Sequence, residues 1–185
     1  MRQFRPLVAL VVALLILPVA SASSARTSED SESFERMLRA IDIVPRGESL
    51  KKRWPDIVER LIHASRDEKR KGYTRSRAIS LLSFFPELRV RNILQRLLRD
   101  TSSDVRRIAI YTLARTFGDP GSASLVDRVA HAIRDSEASV RTFALRSLRW
   151  IRHQRAVGLL KEVAEKHKDR GLRRLAATTL KRRKF

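Results

Sequence analysis

The chain has 185 residues, 43% of them apolar, and 40 Lys and Arg stand against 20 Asp and Glu, which gives a formal net charge of +20. So much apolar side chain excludes a disordered basic tail, and the absence of cysteine excludes disulfide scaffolds, thiol catalysis and Cys-ligated zinc sites. Aromatic residues make up only 6%, and Gly and Pro number six each, so a sandwich or barrel with many tight turns is disfavoured. The composition therefore predicts an all-α fold.

The first 22 residues have the pattern of a secretory signal peptide. Two arginines within 1–6 precede an apolar stretch over 7–20, and the small-residue sequence Ala-Ser-Ala follows. The stretch is too short for a comfortable membrane span. We expect cleavage after Ala22, a polar linker over 23–32, no transmembrane segment in the mature chain and a periplasmic or secreted location. An uncleaved membrane anchor is the alternative.

A pattern that recurs about every 34 residues occupies 55–185. Asp67, Asp100, Asp135 and Asp169 each follow a basic residue, at intervals of 33, 35 and 34. Apolar residues ten and six positions before each Asp share one helical face, which predicts an amphipathic helix before every Asp. We refer to these helices as the A helices. The first three are expected to begin at Pro55, Pro86 and Pro120.

A second apolar pattern follows each Asp and predicts a B helix there. In the second unit, Val105 and Arg106 are followed by Ala109 and Leu113, and the other units have similar residues at these offsets. Offsets of zero, four and eight lie on one face of a helix. The predicted pairs of A and B helices cover about 55–85, 86–118, 120–153 and 155–185.

Residues 33–54 are predicted to cap the first helix pair. Phe34, Leu38 and their apolar neighbours have helical spacing over 33–42, and Trp54 is expected to cover the open end of the first pair. A stack of repeats needs such a cap because each unit buries its apolar face only against a neighbour.

The recurring pattern resembles HEAT repeats, because an Asp stands five residues before Val-Arg and is followed by Ala and Leu at helical spacing. The short unit looks like the HEAT-like type of the bilin lyases. The resemblance covers roughly 55–185 and implies a right-handed α-solenoid of about four helix hairpins. It also implies that Asp100, Arg106, Asp135 and Arg141 form a structural ladder within or across repeats, and that the B helices line the concave side.

The positive charge is divided unequally between the two helix sets. The A helices carry 11 basic and 6 acidic residues, whereas the B helices carry 17 and 2. A compositional bias toward arginine alone would raise the positive charge of both helix sets. The inequality therefore predicts a basic face formed by the B helices. A purely compositional origin of the charge is the alternative. The residues expected on the concave side are Arg107, Arg115, Arg146, Arg149, Arg174, Lys181, Arg182, Tyr111 and Trp150.

A row of B helices about 30 Å long fits an extended anion better than a small metabolite. The sequence therefore predicts a noncatalytic, exported and monomeric scaffold or binding module, without cofactor or metal. Its expected partner is an acidic protein, or an anionic polymer or lipid of the cell envelope. The alternatives are nucleic-acid binding and an enzyme of the HEAT-like lyase kind. No catalytic motif supports the enzyme, and His63 and His131 are about 20 Å apart in such a stack, too far to share a metal.

If the leader is removed as predicted, the mature protein produced in an exporting host begins at Ser23. N-terminal sequencing and intact mass measurement check this. A full-length chain recovered with the membrane fraction would support the uncleaved anchor instead.

Overall fold

The computed structural model describes residues 19–40 and 45–183. Within these ranges the chain forms ten α-helices, two short 3-10 helices and no strand, which confirms the predicted all-α class. The chain divides into two compact units, Met1–Ile43 and Val44–Phe185. Most of the predicted signal peptide, residues 1–18, lies outside the described residues, and the predicted cap has residues in both units.

The first unit contains helix α1, Val19–Arg39. The polar segment 23–32, predicted as a linker, is thus helical, and the helix ends before the predicted limit at residue 42. The reason is that 19–39 contains neither Gly nor Pro, while its Ala, Ser, Glu and Arg are all compatible with a helix. Polarity alone does not prevent helix formation.

The second unit alternates A and B helices after a short helix α2, Gly47–Arg53. Two 3-10 turns, Leu82–Phe84 and Leu148–Trp150, extend the first and third B helices. The A helices are α3 (Ile57–Arg66), α5 (Leu88–Leu97), α7 (Ala123–Ala132) and α9 (Gln154–Lys166). The B helices are α4 (Gly72–Leu81), α6 (Ser103–Phe117), α8 (Ala138–Ser147) and α10 (Arg170–Lys181).

The B helices form one continuous layer. Each A helix packs on the B helix that follows it, and α4, α6, α8 and α10 contact one another in chain order. The alanines of the sequence pattern, Ala78, Ala109, Ala144 and Ala176, are completely buried. A small side chain at this position lets neighbouring helices approach closely, so the exposed side chains of successive B helices come within reach of one another.

The predicted starts of the A helices were wrong by two or three residues. The helices begin at Ile57, Leu88 and Ala123 rather than at the prolines. One or two residues separate each proline from the helix and include the N-cap, which lies outside the helix. Of the three N-cap residues, Ser122 caps its helix with its side chain: its hydroxyl accepts a hydrogen bond from the Leu125 N–H at 3.3 Å.

An arginine near the start of a B helix binds the Asp of the following unit. Arg75 is 4% exposed and donates to both carboxylate oxygens of Asp100, at 3.2 and 2.5 Å, while its Nε donates to the Ser65 carbonyl at 3.0 Å. Arg106 binds both oxygens of Asp135 at 2.8 and 2.9 Å. The carboxylate pairs therefore join one unit to the next.

Within one helix pair, the arginine at this position binds backbone carbonyls rather than a carboxylate. The Nη1 of Arg106 donates to the Asp100 carbonyl at 2.8 Å, and the Nη1 of Arg141 donates to the Asp135 carbonyl at 2.9 Å. Each of these guanidinium groups closes the turn between its own A and B helices. In the second helix pair, the Nε and Nη2 of Arg106 also bind Asp135 and so hold the next helix pair in place.

The aspartates shape the turns as well. Oδ1 of Asp100 accepts from the Ser102 N–H at 2.9 Å, and Oδ1 of Asp135 accepts from the Glu137 N–H at 2.9 Å. The hydrogen bonds from Arg106 lower the pKa of Asp135 despite its partial desolvation, and the N–H of Glu137 lowers it further. The lowered pKa keeps Asp135 ionised at neutral pH, which is the form that pairs with the Arg106 guanidinium.

The last unit departs from this pattern. Oδ1 of Asp169 accepts from the N–H groups of Gly171 at 2.7 Å and Leu172 at 3.1 Å, which lowers the pKa of Asp169. Arg141 makes no hydrogen bond to Asp169 in the part of the chain that the structure describes. Asp169 therefore acts as the N-cap of α10 instead of joining two units.

Replacing Asp135 by Asn should lower the free energy of unfolding by about 2–3 kcal/mol at neutral pH, because Arg106 loses its ionic partner in a site where both side chains are only 14% exposed. Because the pKa of Asp135 is lowered in the folded state, its contribution is complete above about pH 4 and is lost as the pH falls through the folded-state value. The difference between the two proteins should therefore shrink in acid. Urea denaturation at several pH values measures it.

Asp127→Asn is the matched control, since Asp127 pairs with Arg155 across two A helices while both side chains are more than half exposed. This change should cost no more than about 1 kcal/mol. Equal losses from the two variants would contradict a structural role for the pair between Arg106 and Asp135.

Candidate functional site

A groove of about 490 Å³ crosses the exposed side of α6, α8 and α10. Its lining combines arginines with aromatic, aliphatic and hydroxyl side chains. We call this site the B-helix groove. It is lined by Tyr111, Phe143, Arg146, Arg149, Leu175, Thr178, Thr179 and Arg182. Four of the nine residues predicted for the basic face, Tyr111, Arg146, Arg149 and Arg182, are thus brought together.

Arg149 is the most constrained cation of the B-helix groove. Its Nη2 donates to the Tyr111 hydroxyl at 3.1 Å, and its guanidinium lies 4.5 Å from the ring centroid of Trp150. Its Nε is buried and has no hydrogen-bond partner among the residues that the structure describes. A cation that is partly removed from water and held in place attracts an anion more strongly than a solvated one.

Phe143 organises the other side of the groove. Tyr111 meets its ring edge-on at a centroid distance of 5.7 Å. The guanidinium carbons of Arg107 and Arg146 lie 5.0 and 5.9 Å from the same ring. Such cation–π contacts restrict the orientation of an arginine without neutralising its charge.

The sequence pattern missed Phe143 and Leu175 as site residues. Both stand directly before the buried alanine of a B helix, at Ala144 and Ala176. An apolar residue at that position only widens the apolar stripe of the helix and does not predict a groove. The structure leaves both side chains half-buried, at the border between the core and the groove. Their position one residue from the centre of the buried face was the only available signal, and it does not distinguish a core residue from a groove residue.

Two of the five remaining predicted residues contact residues of the groove lining, and three lie away from it. Arg107 borders the groove through Phe143, but part of its charge is balanced by Asp104 at 2.8 Å. Trp150 joins the site through Arg149 and is 36% exposed. The other three side chains are exposed and do not line the groove; they are Arg115, Arg174 and Lys181.

The lining of the B-helix groove contains no acidic side chain. A groove of about 550 Å³ on the A-helix side, by comparison, contains Asp127 and Asp135, and one of about 670 Å³ beside it contains Asp127 and Glu162. The A helices also pair their charges across neighbouring units, as Arg89 does with Glu59. Three of the basic residues predicted on the B helices therefore lie in a groove whose lining has no counter-charge.

Hydrogen bonds from Arg183 and to Gly118 hold the segment that contains the 3-10 turn with Arg149. Arg183 donates to the carbonyls of Leu148 at 2.9 Å and Ile151 at 2.8 Å, and its burial lowers its pKa. The Arg152 N–H donates to the Gly118 carbonyl at 2.7 Å. Arg183, which follows the end of α10, thus binds the backbone of this segment.

Gly118 sets how closely the end of α6 approaches this turn. A Cβ at this position would overlap with the carbonyl oxygens of Ala114 and Trp150, which are backbone atoms and cannot turn aside. Glycine is therefore required here by the close approach.

Among the residues described, no group of three or more His, Asp or Glu side chains lies close enough to hold a metal ion. None of the described helices is long and apolar enough to cross a membrane. No family model matches the chain, and no curated protein shows significant similarity to it.

Replacing Gly118 by Ala should lower the free energy of unfolding by about 2 kcal/mol, because the added methyl group forces the end of α6 away from the 3-10 turn. Urea denaturation measures the loss.

Gly158→Ala provides the control, because a Cβ on Gly158 meets no atom within 4 Å in the middle of α9. That change should raise stability by up to about 1 kcal/mol through helix propensity. A Gly118 variant as stable as the Gly158 variant would show that the close approach does not constrain the site.

Proposed function

We propose that this protein is a noncatalytic binding module that holds an acidic protein or an anionic polymer on its B-helix face. The observation that carries the proposal is the grouping of Arg146, Arg149 and Arg182 in one groove without an acidic side chain in its lining. Like charges gathered in this way repel one another and cost stability, and a bound anion removes that cost. A groove that restrains two of these cations, Arg146 and Arg149, is suited to such a ligand.

For the fold, the proposal is a right-handed α-solenoid of four HEAT-like hairpins, from α3 to α10. Two features support it: the carboxylate pairs that Arg75 and Arg106 make with the following units, and the continuous layer of B helices. In such a solenoid the B helices line the concave side. The B-helix groove then lies where a solenoid offers its largest contact surface to a partner.

We also propose that the protein is exported and that its leader, residues 1–22, is removed. The basic start, the short apolar stretch and the small residues before the cleavage position support this. The partner then belongs to the cell envelope or the exterior. This location argues against nucleic acid as the physiological ligand and favours acidic proteins and anionic envelope polymers or lipids.

Reversing two charges in the groove tests the directed face. Arg146→Glu together with Arg149→Glu should weaken binding to immobilised heparin by roughly tenfold or more at moderate salt, because two cations that face the ligand become anions. The salt concentration needed for elution measures the effect. Circular dichroism and thermal unfolding check that the fold is retained.

The matched control reverses two charges on A helices, Arg128→Glu together with Lys161→Glu, and changes the net charge by the same amount. This variant should lose much less affinity. If both variants lose the same affinity, retention depends on net charge alone and the proposed binding face is wrong.

A further inference from the structure

The B-helix groove is more specific than a general basic surface. Phe143 and Leu175 supply apolar surface in its lining, and Arg146, Arg149 and Arg182 surround it with positive charge. A ligand that matches this arrangement has an apolar group close to its anionic groups. Sulfated polysaccharides and polyphosphates have no apolar group of this kind, so they satisfy only half of the lining.

Arginine side chains lie beside the aromatic rings of the site. The guanidinium of Arg149 lies 4.5 Å from the Trp150 centroid, and Arg107 and Arg146 approach the ring of Phe143. Single-stranded nucleic acids gain much of their affinity by stacking bases on free aromatic faces. With guanidinium groups beside these rings, the groove offers hydrogen-bond donors together with the part of the Phe143 surface that stays in its lining.

Guanidinium groups are suited to carboxylates, which they bind in the same two-pronged way as phosphates. A planar guanidinium binds a planar carboxylate through two parallel hydrogen bonds, as Arg75 and Arg106 do elsewhere in this chain. Tyr111 and Trp150 hold Arg149 from two sides. Less side-chain freedom is then lost when a ligand binds, which strengthens the interaction.

The size of the groove limits the ligand. Its volume of about 490 Å³ is in the range of sites that enclose a small molecule or a few amino-acid residues. The exposed cations Arg115, Arg174 and Lys181 lie outside its lining, so the enclosed site does not extend along all the basic positions of the B helices.

Resting on the binding function proposed above, we propose that the B-helix groove binds a short acidic peptide segment of a partner protein. One apolar side chain of the segment lies against Phe143 and Leu175. Flanking Asp or Glu side chains accept hydrogen bonds from Arg146, Arg149 and Arg182. Tyr111 is a positioning residue that keeps Arg149 directed into the groove.

Three labelled peptides of equal length test the ligand, with fluorescence anisotropy as the readout. The first has a central Leu flanked by Glu, the second has Ser in place of Leu, and the third has Gln in place of every Glu. The first should bind roughly tenfold more tightly than the second, because burial of a leucine side chain contributes at least this much. The third should not bind measurably.

Two variants test the roles of individual residues. Leu175→Ala should weaken binding of the Leu peptide severalfold and leave the Ser peptide unchanged, while Leu159→Ala, a half-buried leucine on α9, should affect neither. Tyr111→Phe should weaken binding of the Leu peptide by roughly threefold to tenfold. It should leave the salt dependence unchanged because it removes no charge, whereas Arg149→Gln should reduce that dependence.

The outcomes separate this inference from the proposed function. The proposed peptide ligand is wrong if the Leu and Ser peptides bind with equal affinity and heparin fragments bind more tightly than either. If the Arg146 and Arg149 variants also lose affinity for heparin, the proposed binding face is still supported. If vesicles of anionic phospholipid outcompete the Leu peptide, the ligand is a lipid and the inference fails. If none of the anions binds, the proposed function itself is wrong.

Discussion

The bidentate contacts between arginine and aspartate on successive units are the interaction on which the rest of this structure depends. The side chains of Arg75 and Arg106 are 5% and 14% exposed, so removing either acceptor would leave a cation without an ionic partner in a poorly hydrated site. Because each Asp also accepts from a backbone N–H in its own turn, one carboxylate controls both the turn and the distance to the preceding unit. The B helices are held in register as a result.

That register creates the B-helix groove. Tyr111 lies on α6 and Arg149 lies on the 3-10 turn after α8, and they meet only because the two helices pack at a fixed offset. Gly118 permits this offset by leaving room for the carbonyl of Trp150. The site therefore depends on contacts that touch no ligand, and a change at a turn can alter the groove as much as a change in its lining.

In the compact unit Val44–Phe185, charges are paired differently on the A helices and in the B-helix groove. On the A helices, exposed pairs such as Arg155 with Asp127 balance the cations locally, although pairs of this kind add little stability. In the groove, the arginines are restrained by aromatic rings and by a tyrosine hydroxyl, which keep the positive charge available. Arginines that are held in place without an acidic partner repel one another and reduce the stability of the fold. A bound anion would offset that loss.

The sequence by itself determined the all-α class, the order of A and B helices and the excess of charge on the B helices, because helical periodicity and composition are local properties. Only the tertiary structure decided that Arg106 pairs with Asp135 rather than with the nearer Asp100, since the partner lies across a helix interface. It also decided that Phe143 lies at the border of a groove. Periodicity shows which face of a helix is apolar, but only the packing of neighbouring helices determines where burial ends and a binding surface begins.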